Sequence, residues 1–220
     1  MTDTTTTLAE LAVAHPAAAR VFYANRLDFC CGGRRLFADA CRERGLDPDA
    51  ILDEIRQAER TAEPAVHWEL MPLPALVDHI VIHYHHRLRA ALPHLVEMAR
   101  MVEIRHRDNP SCPVGLTTLL EHVQQSTLDH MEKEEVILFP TIARRAGAHV
   151  AGPVSVMELE HEHHKGDLQT IRALTHDLTP PAEACTTWRA LYTGLQQLEQ
   201  ELMEHIHLEN NVLFRRALAA

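Results

Sequence analysis

From about Ala184 to Ala217 the chain repeats apolar residues at intervals of three and four. Positions 188, 191, 195, 198, 202, 205 and 209 fall on one stripe of an α-helix. Three earlier segments follow the same rule. One runs from about Leu73 to Arg105, with Val77, Ile80, Tyr84, Leu88 and Leu95 near one face, and Pro93 predicts a kink in it. Another runs from about Gly115 to Arg145, with 116, 120, 123, 127, 130, 134, 137 and 141 on its stripe. The third runs from about Val154 to Leu178, with 157, 161, 164, 168 and 171 aligned, and Pro180 and Pro181 end it. A helix with one apolar stripe must bury it. Four such helices of about 25–35 residues with short connections predict an all-α, up-down four-helix bundle over 73–220.

The chain ahead of the bundle reads differently. Thr7 with Glu10 forms a capping box before Leu8, Leu11 and Ala12, and Pro16 opens a second helix through Phe22. "DFCCGG" breaks the pattern. A third helix is expected from about Arg34 to Arg44, stopped at Gly45, and a fourth starts with Asp47 as cap and Pro48 in its first turn. Residues 1–63 therefore read as a small helical domain. Residues 64–72, inside a proline-punctuated stretch holding Pro64, Pro72 and Pro74, read as a linker.

Two of the stripes run into charge. On the second long helix the stripe continues into His130 and Glu134, and on the fourth into His205 and Glu209. Spacing i, i+4 puts the members of each pair on one face, so both pairs point into the bundle. On the first long helix His85 lies nearest the stripe, while His79, His83 and His86 point elsewhere. On the third, His161 and His164 both fit, and periodicity does not choose between them. Counted along an up-down bundle, these residues fall within about one or two turns of each other. Four imidazoles and two carboxylates on one level suit two metal ions, each carboxylate bridging both. Imidazole with carboxylate suits iron, manganese or zinc, and the lack of thiolate argues against a structural Cys-rich zinc site.

Cys30 and Cys31 are adjacent and are followed by Gly32, Gly33, Arg34 and Arg35. A disulfide between neighbours is strained, so free thiols are expected. The arginines and the start of a helix are expected to lower a thiol pKa, and the glycines to allow close backbone approach. Cys41, Cys112 and Cys185 read as small core residues, and Trp188 and Tyr192 as core.

The remaining composition narrows the class. The 220 residues carry a net charge of −10 with histidine neutral, and no basic patch accumulates, which argues against nucleic acid. No apolar run approaches the roughly 20 residues of a membrane helix. "MTDTTTTLAE" has neither the basic nor the apolar region of a secretory signal. Five cysteines, an odd number, fit a reducing compartment. A cytoplasmic location is expected. Seventeen histidines are the compositional outlier.

The segments "YHHRLR", "HMEKEEVILFP", "EHEHHKG" and "HIHLENNVLF" resemble the hemerythrin-like bundle. "LDFCCGG" joined to such a bundle is similar to the di-iron iron–sulfur cluster repair proteins of the YtfE/ScdA type, over essentially the whole chain. The resemblance implies two non-haem iron ions, oxo- and carboxylate-bridged, on His85, His130, Glu134, His161, His205 and Glu209. It selects His161 over His164, because the family ligand directly follows an acidic residue, here Glu160. Glu160 itself is then a supporting candidate beside the ligands. The resemblance also marks Cys30 and Cys31 as functional thiols, for redox or for handling iron. It implies repair of clusters damaged by oxidative or nitrosative stress, by donating iron to damaged or apo iron–sulfur proteins, rather than conventional enzyme turnover. Its alternatives are binding or sensing of dioxygen or nitric oxide, and a nitric oxide reductase or di-iron oxidase. An exposed thiol module would also suit a homodimer.

Overall fold

The computed structural model describes residues 5–61, 66–144 and 149–219. Pro64 of the expected linker and Arg145 at the expected end of the second long helix lie outside these residues. The fold is all-α: a hemerythrin-like up-down four-helix bundle preceded by a small helical region. Among the described residues none forms a strand, and a lone bridge pairs Thr7 with Leu36. By packing, the chain divides into two compact units, Met1–Val77 with Met203–Ala220, and Asp78–Leu202.

In the first unit, helices α1 (Leu8–Ala14), α2 (Ala17–Ala24), α3 (Phe37–Glu43) and α4 (Pro48–Thr61) surround one apolar core. The capping box forms as expected, with the Glu10 amide donating to Thr7 Oγ1 and the Thr7 amide to Glu10 Oε2. Two more first-turn amides of α1, those of Leu8 and Ala9, donate to the carbonyls of Arg35 and Gly33. Helix α3 begins at Phe37, later than expected, because residues 33–36 turn back to make those bonds. Gly45 follows α3 with φ of +69°, a conformation open to glycine. The rings of Phe22 and Phe37 lie 5.9 Å apart, and those of Phe22 and Phe29 6.1 Å apart. From the C-terminal end of the chain, Asn211 donates to the carbonyl of Phe29 at 3.0 Å, and Asn210 to that of Cys30 at 3.2 Å. Residues 203–219 are thus part of this unit's packing.

The second unit holds long helices. Helix α5 (Leu73–Ile80) enters it, passes through a π turn at Val81–His85, and continues as α6 (His86–His106). Helix α7 (Leu116–Lys133) passes through a π turn at Glu134–Leu138 into α8 (Phe139–Ala143). Helix α9 covers Ala151–Leu174 and α10 covers Thr186–Leu208. Helix α6 packs on α7, and α7 on α9. Arg172 of α9 holds Glu199 of α10, Nε to Oε1 at 2.6 Å. Gly194 of α10 lies so close to α6 that an added Cβ would sit 2.7 Å from Leu95 Cδ2. The four helices close into a ring. Leu88, Leu92, Leu95, Leu120, Val123, Leu168, Ile171, Leu191 and Leu195 fill it. Beyond them, Trp188 is buried with its ring 4.9 Å from His106, whose Nε2 faces Cys185 Sγ at 3.3 Å. Cys185 and Cys112 are half-buried rather than core.

A third π turn, Glu209–Leu213, leads from α10 into α11 (Phe214–Leu218). The sequence reading missed all three. Pro93, where a kink was expected, sits inside α6, and the departure from α geometry comes earlier, at Val81–His85. In each turn the closing amide reaches back five residues, His86 to Val81, Phe139 to Glu134 and Phe214 to Glu209. The inserted residue rotates everything after it. Ile137, expected on the inner stripe, is therefore 55% exposed, while Leu138, Phe139 and Ile142 are buried. Among the described residues no helix is long and apolar enough to cross a membrane.

Two packing predictions follow from these contacts. An added Cβ at Gly33 would lie 2.8 Å from the Phe29 carbonyl oxygen and 2.9 Å from Ala9 Cβ. Because backbone must move, Gly33→Ala is expected to destabilise the fold by about 1–3 kcal/mol. Arg172→Ala strips a charged partner from buried Glu199, and is expected to cost about 2–3 kcal/mol. Urea unfolding midpoints check both.

Candidate metal site

In the second unit, α6, α7 and α9 bring His85, His130, Glu134 and His161 out of water together, each at most 2% exposed. His130 and Glu134 are i, i+4 on one helix line, and Glu134 opens the π turn. His85 closes the other π turn of this unit. Glu134 Oε2 lies 3.4 Å from His85 Nε2 and 3.5 Å from His130 Nε2. His161 Nε2 lies 3.0 Å from His130 Nε2. One ligand atom each from His130, Glu134 and His161 lies within 4.8 Å of the others.

Each of two imidazoles is held from behind by a carboxylate. His85 Nδ1 meets Glu135 Oε1 at 2.7 Å, and Arg89 Nη1 donates to the same oxygen at 2.8 Å. His130 Nδ1 meets Glu160 Oε2 at 2.9 Å, and Lys133 pairs with the other Glu160 oxygen. Burial works to raise the Glu135 carboxyl, but Arg89 and His85 outweigh it and hold it below its usual value. An ionised carboxylate only accepts, so each Nδ1 carries the proton and each Nε2 presents a lone pair inward. Those lone pairs face a buried carboxylate oxygen. Acceptors turned toward one another in this way fit a bound cation, which satisfies them all.

His164 is also buried, but its ring stands edge-on to that of His130, with centroids 5.1 Å apart. His161 Nε2 reaches His130 Nε2, whereas the ring planes of His164 and His130 are perpendicular. Glu135 was absent from the sequence reading. Its signal was a second acidic residue directly after Glu134.

In the first unit, His205 and Glu209 are buried on successive turns, His205 Nε2 lying 2.8 Å from Glu209 Oε1. His207 is buried against the Phe29 ring, its Nδ1 3.0 Å from Asn211 Nδ2. Burial lowers its pKa to about 4.

The thiol turn lies in the same unit. Cys30 is buried, Cys31 half-buried, and both are free thiols, as expected. The expected lowering of the thiol pKa is overturned for Cys30, which is raised by its hydrogen bond to Cys31, by burial, and by the nearby Cys31 and Asp28 charges. Arg35 instead pairs with Glu43, and Arg34 is exposed. The glycines provide space: a Cβ on Gly32 would strike the Asp28 carbonyl oxygen at 2.8 Å.

Residues 4–59 match a family described as a domain of unknown function, ScdA_N. Residues 76–217 match the hemerythrin HHE cation binding domain. The chain is 47% identical to the iron–sulfur cluster repair protein YtfE of Dickeya chrysanthemi, over 96% of each chain. It is 46% identical to the Escherichia coli O1:K1 protein of the same name and 44% identical to that of Yersinia pseudotuberculosis, again over 96% of each.

The carboxylates behind the imidazoles give a test. Glu135→Gln and Glu160→Gln keep side-chain shape but remove the charge that fixes the imidazole. Each is expected to weaken metal binding by about 10–100-fold, measured by competition with a chromophoric chelator.

Proposed function

Because the chain belongs to the family of iron–sulfur cluster repair proteins of the YtfE type, we propose that it restores iron–sulfur clusters damaged by oxidative or nitrosative stress by donating iron. In this reading the metal centre holds two iron ions on His85, His130, Glu134, His161, His205 and Glu209, within a domain spanning 73–220 that follows a linker at 64–72 and a module at 1–63. Bound there, iron supplies a metal that changes oxidation state and can be handed to a cluster. The observation that carries the reading is the buried Glu134 carboxylate facing two imidazole Nε2 atoms, each imidazole held at Nδ1 by a further carboxylate.

The residues divide the work. Glu135 and Glu160 keep the Nδ1 protons in place, so that Nε2 remains a donor to metal. Glu134 and Glu209 contribute negative charge where water is excluded, and their carboxylates would help hold the metal there. Imidazole and carboxylate together would suit a metal that changes oxidation state, which is the chemistry iron would supply here. The clients are damaged or apo iron–sulfur proteins, dioxygen and nitric oxide are the small-molecule partners, and the compartment is the cytoplasm.

Purified protein is expected to hold two iron ions per chain, and His130→Ala or His205→Ala to lose about half or more of that iron, since each imidazole anchors one ion. Iron analysis and the optical spectrum read this directly. Loaded protein is expected to rebuild the cluster of an apo iron–sulfur protein, while the His130→Ala protein does so at less than about half the yield. One zinc per chain, unaffected by these substitutions, would rule the centre out. Full iron loading with no transfer, but with reversible binding of nitric oxide or dioxygen, would favour a sensor or carrier instead.

A further inference from the structure

The turn that joins α2 to α3 converges three side chains that a regular segment would separate. Asp28, Cys30 and Cys31 each offer a ligand atom within 4.8 Å of the others. Cys30 Sγ lies 3.6 Å from Asp28 Oδ1 and 3.8 Å from Cys31 Sγ. Neighbouring residues on an extended chain point to opposite faces, and here they point the same way because the backbone is bent around the Asp28 carboxylate. That carboxylate accepts from the amides of Cys31 at 3.1 Å and Gly32 at 3.0 Å. Gly32 makes the bend possible, since a Cβ there would lie 2.9 Å from Asp28 Oδ2. The turn is held from the other side as well, by Asn210 and Asn211 on the carbonyl of Cys30 and by Asn211 on that of Phe29.

We propose that Asp28, Cys30 and Cys31 form a second metal site, selective for a thiophilic divalent cation and separate from the histidine and glutamate donors. Two sulfurs and a carboxylate oxygen favour a softer cation than the imidazole and carboxylate set does. The turn is preorganised, so little of the binding free energy goes into ordering it. Three protein donors are one short of the closed tetrahedral shell of a structural zinc site. Cys31 is half-buried, so the donor set is not closed off from solvent. That composition suits a cation that is taken up and passed on. The binding site stands independently of the repair reading, since none of its donors belongs to the histidine and glutamate set.

Cobalt(II) titrated into the full-length, reduced protein without oxygen is the test, because thiolate-to-cobalt charge transfer in the near ultraviolet reports sulfur ligation alone. One thiolate-bound cobalt per chain is expected. Cys30→Ser with Cys31→Ser is expected to abolish the band. Asp28→Asn retains an oxygen acceptor for the two amides, so the turn persists, and is expected to weaken cobalt binding at the thiolates at least about tenfold. The His130→Ala, His205→Ala protein is expected to keep the band unchanged, which separates failure of this site from failure of the repair reading. The proposal is overturned if saturating cobalt gives no thiolate band, if the band survives loss of both cysteines, or if Asp28→Asn binds as tightly as the unaltered chain.

Discussion

Glu134 is wholly out of water, and its Oε2 is flanked at 3.4 and 3.5 Å by two imidazole nitrogens. Removing a carboxylate from water costs several kcal/mol even after the surroundings relax. Protonated imidazoles could offset that cost, but His85 and His130 already place their Nδ1 protons on Glu135 and Glu160. A second proton on each ring would put two cations in a site excluded from water. Bound metal cations would balance the same groups without that, and the need for this balance is consistent with several other features. It accounts for the carboxylates behind the imidazoles, and for Arg89 and Lys133 holding those carboxylates in turn. It accounts also for helix faces interrupted by charge where leucine would pack better.

The three π turns belong to the same economy. Each contains one of the buried polar residues: His85 at the end of the first, Glu134 and Glu209 at the starts of the other two. An inserted residue turns the helix surface by roughly 100°. That shift lets Glu134 point inward while its neighbour Glu135 reaches the back of His85, two tasks an ideal helix would send in diverging directions. The core shows the same shift at the first turn, where the next buried residue after Ile80 is His85, five positions on.

Much of this was legible in the sequence, for reasons that can be stated. The stripes of the third and fourth long helices predict burial at 157, 161, 164, 168 and 171 and from 188 through 209, and all of these are buried. The Thr7–Glu10 box and the Asp47 start of α4 are local chemistry, and local chemistry survives folding: the Asp49 amide donates to Asp47 Oδ1 at 3.0 Å. What was hidden depends on long-range packing. A π insertion has no composition of its own, so Ile137 was placed inward when it lies outside. His161 and His164 share a stripe and are both buried, so the period that finds them does not separate them. The thiol turn misled for a similar reason. Arg34 and Arg35 are close to Cys30 in sequence, but their long side chains turn to solvent and to Glu43, while Asp28, a short side chain, is folded back onto the sulfur.

Asn210 and Asn211 directly follow Glu209, and the three residues occupy one π turn. Glu209 points one way and the asparagine pair another. Glu209 turns toward His205; the two carboxamides turn to the carbonyls of Phe29 and Cys30. The turn that presents a carboxylate to one set of donors is therefore hydrogen-bonded to the backbone that presents the thiols. Gly33 tightens the contact, since a Cβ there would lie 2.9 Å from Asn211 Oδ1. A packed interface of this kind does not deform smoothly. A shift of the thiol turn must either break these carboxamide bonds or move the turn that carries Glu209, which makes the asparagine pair, rather than any through-space effect, the physical link between the dithiol and the carboxylate.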